Sequence, residues 1–368
     1  MTRKVSHTIL FLLIWGYCNA QYNYPKTKTV DSSDTYFGVT YKDPYRWLEN
    51  LKDSTVVNWF KEQKEFADKK MEKIDGIDSL LNQIQHFLDA KTWRREPYFK
   101  TASGYYYMIS KRGQLSQKLY YKAINDTTEH LIFDTWNIHS GIRYELYDIA
   151  LSPDEKYFFA AFDKNGEEYP FLKVYDIVNK KWLKDSIPNC LAGSINWTSN
   201  SKGFFYKYNT GDRTATNATE NEEVKYHALF SSYTSDKLIM DDRIRSTIEK
   251  KISNAYHASV YTDNSLKRIY CIPNSGFGLD KNAYYISNAE LLNPIKQWKK
   301  LYSTTDSVYS FKEANNGYYF ISTKGKGFKS LQYTSYNNPD FANAKIVFPE
   351  DSIWQLEYMD ETKSYIFV

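Results

Sequence analysis

Two hydrophobic periods divide the chain. Up to about residue 90 apolar positions recur at helical spacing. Val56, Val57, Phe60, Lys64, Ala67 and Met71 fall near one helix face, with Lys and Glu between them. Asp53-Ser54-Thr55 offers a cap, so a break near Lys52 is expected within a helical section running from Asp43 to about Ile74. Asp43 before Pro44 reads as a helix start, with Asp43 as N-cap and Pro44 in the first turn, where a missing N–H costs nothing. Gly76 ends this section. Leu80, Leu81, Ile84, Phe87 and Leu88 then predict a second short amphipathic helix. Ahead of it all, Tyr22 to Val39 reads as a polar, extended lead-in.

From about Arg95 the apolar positions come instead in short aromatic runs between polar turns, which predicts strands. Tyr98-Phe99, Tyr105 to Ile109 and Leu119 to Tyr121 form the first set, with a turn at Gly113. Tyr147 to Leu151, Tyr157 to Phe162 and Phe171 to Ile177 form the second. Further sets begin at Ile195, Ala258 and Val308, and a sixth at Trp354 to Tyr358 continues to Val368. The copies recur at roughly fifty residues, a propeller-blade period of about four strands each. Leu151-Ser152-Pro153-Asp154 and Trp197-Thr198-Ser199-Asn200-Ser201-Lys202-Gly203 show the strand–turn–strand unit most clearly. A sandwich would not repeat so regularly.

Composition sharpens this picture. With 34 Tyr, 21 Phe and 9 Trp in 368 residues, the chain favours pleated, half-buried surfaces. The balance of 48 basic and 44 acidic residues is too even to point to nucleic acid or an anionic membrane. The first twenty residues read as a secretory signal: Arg3 and Lys4, then the short apolar run Ile9 to Trp15, then Cys18-Asn19-Ala20 before Gln21. Lipid attachment at Cys18 is the lesser alternative, because bulky Tyr17 precedes it. Secreted or periplasmic localisation is the expectation. After cleavage, Cys190 and Cys271 remain, too few for a disulfide framework and too far apart for a zinc site. Two unpaired thiols are expected, with one bridge as the alternative.

Catalytic constellations are missing from the pattern. Gly193-Ser194 has no second glycine and leads into a strand, so it is a turn and not a nucleophile elbow. His7, His86, His130, His139, His227 and His257 are scattered, and none sits in a His-Glu-x-x-His arrangement. His227 falls in a strand and reads as core or edge. Gly325-Lys326-Gly327 reads as a hairpin turn, Asp163 to Glu168 as a plain turn lacking a full calcium loop, and Asp241-Asp242 with Arg243 and Arg245 as a solvated linker. No catalytic residue, metal ligand or cofactor is predicted, and substrate-binding residues are not assignable.

Tyr24-Pro25, Tyr36-Phe37-Gly38 and Asp43-Pro44-Tyr45-Arg46-Trp47-Leu48-Glu49-Asn50, followed by Trp59-Phe60 and Gln63, resemble the amino-terminal signature of prolyl oligopeptidases. The segments from Leu151 to Phe162, from Asn196 to Tyr206 and at Lys225-Tyr226-His227 resemble successive blades of that family. The resemblance implies a seven-bladed propeller capping a split α/β-hydrolase domain, whose Ser, Asp and His follow the propeller. It implies cleavage of short peptides after proline by a serine-type endopeptidase, with short proline-containing peptides as partners and no cofactor.

The expected fold is therefore mainly β: a signal peptide over 1–20, a helical segment over 21–95, and an incomplete β-propeller of about five to six of seven blades over 96–368. The α/β-hydrolase core is absent from this expectation, the chain reads as a truncated peptidase inactive by itself, and no family catalytic residue maps onto it. Helix faces left without that core, and open blade edges, would make the chain marginal or oligomeric. The alternative is a free-standing, non-catalytic propeller that binds peptide or protein.

Overall fold

The structure is a computed structural model. It describes residues 23–368 apart from 90–92, 112–115, 139–141, 143, 165, 167–168, 192–194, 212–221, 250–256, 263–266, 276–280, 294–296, 315–316, 326 and 362–364. The proposed signal segment with Cys18, the Gly113 turn, Gly193-Ser194, His7 and His139 lie outside the described residues. The chain divides into two units, one ending at Ala90 and the other beginning at Lys91.

In the first unit the lead-in is not simply extended. Ser33–Tyr36 and Val39–Lys42 pair as a hairpin, Tyr36 opposite Val39. Phe37 at φ 52° and Gly38 at φ 81° supply the two left-handed positions that a two-residue hairpin turn needs. The expected helix start at Asp43 is also corrected. Asp43 accepts from the Tyr45 N–H at 3.1 Å, a local turn, and only a 3-10 turn follows over Arg46–Glu49. An Asx turn satisfies the same donors a helix cap would, so the propensity was spent on a turn. The α-helix begins after the expected break: α1 spans Ser54–Met71, and Asp53 caps it by accepting from Thr55 N–H at 2.8 Å. Helix α2 spans Ile77–Asp89.

The Asp43–Asn50 stretch ties this unit together. Arg46 gathers three carboxylates, Asp34, Asp43 and Glu49. The Trp47 indole donates to the Lys28 carbonyl at 2.8 Å and meets the Trp59 ring of α1 edge-on at 6.3 Å. Trp59 donates to Thr27 Oγ1 and Gln63 to the Pro25 carbonyl. Trp47 thus has a partner within the unit, whereas Tyr45 is exposed. So are Phe60 on α1 and Leu80, Leu81, Ile84 and Phe87 on α2, while Val56 is buried.

The second unit is a succession of antiparallel sheets with neighbouring strands in chain order. Blade 1 comprises Trp93–Lys100, Gly104–Lys111, Gln117–Ala123 and Glu129–Asp134. Blade 2 comprises Tyr144–Leu151, Tyr157–Lys164, Phe171–Asp176 and Lys181–Ile187. Blade 3 comprises Asn196–Trp197, Gly203–Asn209, Glu222–Ala228 and Lys237–Met240. Blade 4 comprises His257–Thr262, Arg268–Ser275, Ala283–Ser287 and Lys299–Tyr302, and blade 5 Val308–Ala314, Gly317–Ser322, Ser330–Ser335 and Lys345–Phe348. A sixth sheet has two short strands, Asp360–Glu361 and Ile366–Phe367. The expected strand at Trp354–Tyr358 does not form. Trp354 and Tyr358 are each 73% exposed, so their rings find no sheet face to pack on.

Each hydrophobic core lies between consecutive blades. Phe158, Met108 and Phe133 fill the seam of blades 1 and 2; Phe159, Trp197 and Phe204 that of blades 2 and 3. Phe205, Ile269 and Trp298 join blades 3 and 4, and Tyr270, Phe311 and Phe341 blades 4 and 5. Aromatic strands that alternate face to face between two seams explain the composition. Polar turns add a second link. The Ala102 N–H donates to Glu155 at 2.9 Å, Asp154 N–H to Ser201 at 2.9 Å and Ser199 N–H to Thr262 at 3.1 Å, each reaching into the next blade.

Asp241 to Arg245 does join blades 3 and 4, with Asp242 and Arg243 exposed as expected of a solvated linker, but it is helical and Arg245 is buried. Asp241 caps the short helix α3, Asp242–Ser246, through the Ile244 N–H at 2.6 Å. Arg245 is buried and bonds Asp242 at 2.6 Å, since its stem covers apolar surface while its head keeps a counter-charge. Cys190 and Cys271 are both free and buried, in different seams.

Candidate functional site

A buried titratable cluster in the second unit is centred on His227. The third strand of blade 3 places this ring opposite Phe204, in the seam with blade 2, where it is fully buried. Nε2 lies 2.9 Å from Asp185 Oδ1 and Nδ1 lies 2.8 Å from Asp236 Oδ1. Asp185 comes from the fourth strand of blade 2, between Trp182 and Ser186, where the register shifts. Such an irregularity re-aims a side chain, and here it turns the carboxylate toward blade 3. Asp236 follows a 3-10 turn over Tyr233–Ser235. Tyr206 donates its hydroxyl to Asp236 at 2.7 Å, and the Phe230 N–H donates to Asp185 at 2.7 Å.

Burial alone would lower the His227 pKa. The hydrogen bonds to Asp185 and Asp236, with their charges, overcome that and hold it up at about 9. The set resembles an acid–base relay in composition but not in what it can do. Both ring nitrogens are committed to carboxylates, so neither is left to take a proton from a nucleophile. Of the two readings of His227, core or edge, its place is in the core. Asp185 and Asp236 carried no signal in the sequence: they stand 42 and 9 residues from His227, in separate elements.

A second polar cluster lies between blades 4 and 5. Tyr270 donates to Glu313, and the Tyr270 and Tyr318 hydroxyls lie 3.3 Å apart. Arg268 donates to Tyr318 and its guanidinium stacks between Tyr285 at 4.1 Å and Tyr336 at 3.9 Å. Burial, then the neighbouring Tyr318 and Glu313, push the Tyr270 hydroxyl far up, and burial raises Tyr318 to about 12. These phenols stay neutral donors, which suits a cross-blade network and not general-base work.

The remaining sequence candidates stay apart. His86 is exposed on α2 and His130 is exposed in the fourth strand of blade 1, while His257 begins the first strand of blade 4. Gly325 and Gly327 lie between two strands of blade 5, as a hairpin turn requires. Asp163 is a buried residue inside the strand that ends at Lys164, and Gly166 follows at φ 78°. Among the described residues no three His, Cys, Asp or Glu side chains are grouped to hold a metal ion, and no helix is long and apolar enough to cross a membrane. An open depression of about 500 Å³ lies in blades 1 and 2, lined by residues including Ile138, Tyr144, Phe171 and Lys173.

Five four-stranded antiparallel meanders with a core in each seam define a β-propeller. The chain belongs to the prolyl oligopeptidase family: the family's N-terminal β-propeller domain matches residues 25–368. The prolyl endopeptidase of Elizabethkingia meningoseptica is 23% identical over 336 residues, covering 89% of this chain and 45% of that protein. Prolyl oligopeptidase A of Galerina marginata is 24% identical over 336 residues, covering 82% and 44%. A structure from a structural and mechanistic analysis of two prolyl endopeptidases superposes with a TM-score of 0.75 at 21% identity, covering 94% of this chain and 49% of the other. Prolyl oligopeptidase B from Galerina marginata, bound to a 35mer hydrolysis and macrocyclization substrate, gives 0.71 at 17%, covering 92% and 49%. At these identities the structural likeness speaks to fold. The chain spans about half the length of the relatives it matches.

Proposed function

We propose that this chain is the N-terminal propeller portion of a secreted prolyl oligopeptidase-like serine endopeptidase that cleaves short peptides after proline. The observation that carries this reading is the match of the family's N-terminal propeller to residues 25–368, nearly the whole chain. In this reading the propeller limits which peptides reach an active site, and the nucleophile, base and acid belong to a hydrolase domain. The commitment of both His227 nitrogens to buried carboxylates supports a structural role for the propeller's own acid–base groups. Export through residues 1–20 belongs to the same proposal, on the strength of their basic start and short apolar run.

The test is turnover of a peptidyl-prolyl chromogenic substrate by the chain alone and by the chain joined to the hydrolase domain of a prolyl endopeptidase. The chain alone is expected to be silent and the joined protein to cleave after proline. Turnover by the chain alone that survives further purification contradicts the proposal. So does a silent joined protein when the same hydrolase domain is active with its own propeller.

A further inference from the structure

We propose that Asp185, His227 and Asp236 form a proton-held clasp that fastens blade 2 to blade 3 and releases that seam when the ring proton leaves. Each ring nitrogen faces a carboxylate oxygen at hydrogen-bond distance, 2.9 Å to Asp185 and 2.8 Å to Asp236. A carboxylate only accepts, and a neutral imidazole has a single N–H. Two acceptors on one ring therefore ask for the imidazolium.

The surroundings reinforce this demand. The carboxylates also accept from the Phe230 N–H, on Asp185, and from the Tyr206 hydroxyl, on Asp236. Tyr226 and Cys190 also lie near enough to feel the Asp236 charge, and the Phe204 ring covers the imidazole at 5.1 Å. The titratable neighbours that face the clasp from these elements are thus all acids. With the imidazolium in place the site carries one net negative charge. Without it there are two, and one carboxylate faces a ring lone pair at about 3 Å in a site closed to water.

The proton also bridges separate elements. Asp185 sits on the last strand of blade 2, which pairs at Lys181, Trp182, Ser186 and Ile187 but shifts register between them. His227 and Asp236 both belong to blade 3. Loss of one N–H therefore weakens a strand that is already irregular, on the side where it meets the next blade. The ring proton leaves to solvent base.

Two measurements on the full chain test the clasp. With isotope-labelled histidine, NMR is expected to show both His227 nitrogens protonated near pH 7 and a change to the neutral ring near pH 9. Hydrogen exchange, corrected for its intrinsic rise with base, is expected to speed up in residues 181–187 and 227–237 by about tenfold per pH unit between pH 6.5 and that change, and to level off above it. Other blades are expected to stay protected. His227→Gln should remove this extra pH dependence, those segments exchanging fast already near pH 7. Should that variant not fold, Asp185→Asn keeps the ring and one carboxylate, and should move the opening to lower pH. A neutral ring near pH 7, or opening that spreads evenly over the blades or is unchanged in the variant, overturns the proposal.

Discussion

Gly203 lies beneath the Tyr226 side chain so closely that a β-carbon would stand 2.7 Å from its hydroxyl oxygen and also collide with the His227 carbonyl. Gly104 stands in the same relation to Tyr121, at 2.6 Å from its ring, and Gly317 to Tyr333, at 2.5 Å. Each glycine opens the second strand of its blade, and each tyrosine lies on the third. Blades 1, 3 and 5 thus share one device, in which a missing side chain lets an aromatic ring cross the neighbouring strand.

Gly203→Ala is therefore expected to cost about 2–3 kcal/mol, the scale of overpacking against atoms that cannot all withdraw. Gly38→Ala meets open space at φ 81° and is expected to cost about 1 kcal/mol for backbone conformation. Urea unfolding of the two variants checks the ordering, which is the sharper half of the prediction.

Stability should fall on the alkaline side because of His227. Its pKa rises from 6.5 to about 9 in the folded chain. Folding then takes up a proton between those values, so the stabilisation is complete below pH 6.5 and is lost as pH rises through 9. One proton corresponds to roughly 1.4 kcal/mol per pH unit across that window. Asp185→Ala, which strands the ring without one partner, is expected to cost about 3–5 kcal/mol near neutral pH. Chemical denaturation from pH 6 to 10 reads both effects.

Arg268→Lys is expected to destabilise by about 1–2 kcal/mol although it keeps the charge. The planar guanidinium is stacked between Tyr285 and Tyr336, and an ammonium cannot fill that slot. Thermal melting of this variant beside Lys300→Arg gives the comparison: Lys300 is exposed, 5.7 Å from the Tyr284 ring, and its replacement should change little.

Cys190 and Cys271 should resist thiol reagents until the chain unfolds. Burial pushes both thiols up, and each lies in a separate seam, so neither attack nor mutual oxidation is favoured. Alkylation followed by peptide mapping should find both unmodified in the native chain and both modified in denaturant.

How much of this could be read from the sequence depends on what each residue packs against. The second and third strands of the blades were legible because residues such as Phe158, Phe204 and Tyr318 lie in short, almost continuously buried apolar runs between polar turns. The fourth strands were not named. Lys345–Phe348 is exposed throughout, and Lys299-Lys300 and Glu129-His130 open their strands with exposed polar groups. An outermost strand packs little, so it leaves little pattern. Asp53 was legible as a cap because its partner is two residues away, whereas Asp43 satisfied a turn of equal local appeal. The clasp needs a shifted strand, a 3-10 turn and a third element to converge. Among its members only His227 stands out in the sequence, as a core or edge residue.

The exposed apolar face of α2 bears on solution behaviour. Leu80, Leu81, Ile84 and Phe87 are each about half exposed or more. Such a face promotes self-association. Leu81→Lys with Phe87→Gln is expected to shift the isolated chain toward a monomer in size-exclusion chromatography with light scattering, leaving the blade circular dichroism unchanged. A wild-type chain already monodisperse as a monomer counts against this.

In the function proposed, this chain contributes a propeller to a peptidase and not its reacting groups. The most direct measurement is labelling of the purified chain with a fluorophosphonate probe, read by intact mass. Such a probe reacts with an activated serine whatever the substrate. The unmodified mass is expected. A stoichiometric adduct on any serine of this chain, abolished by prior unfolding, would contradict it.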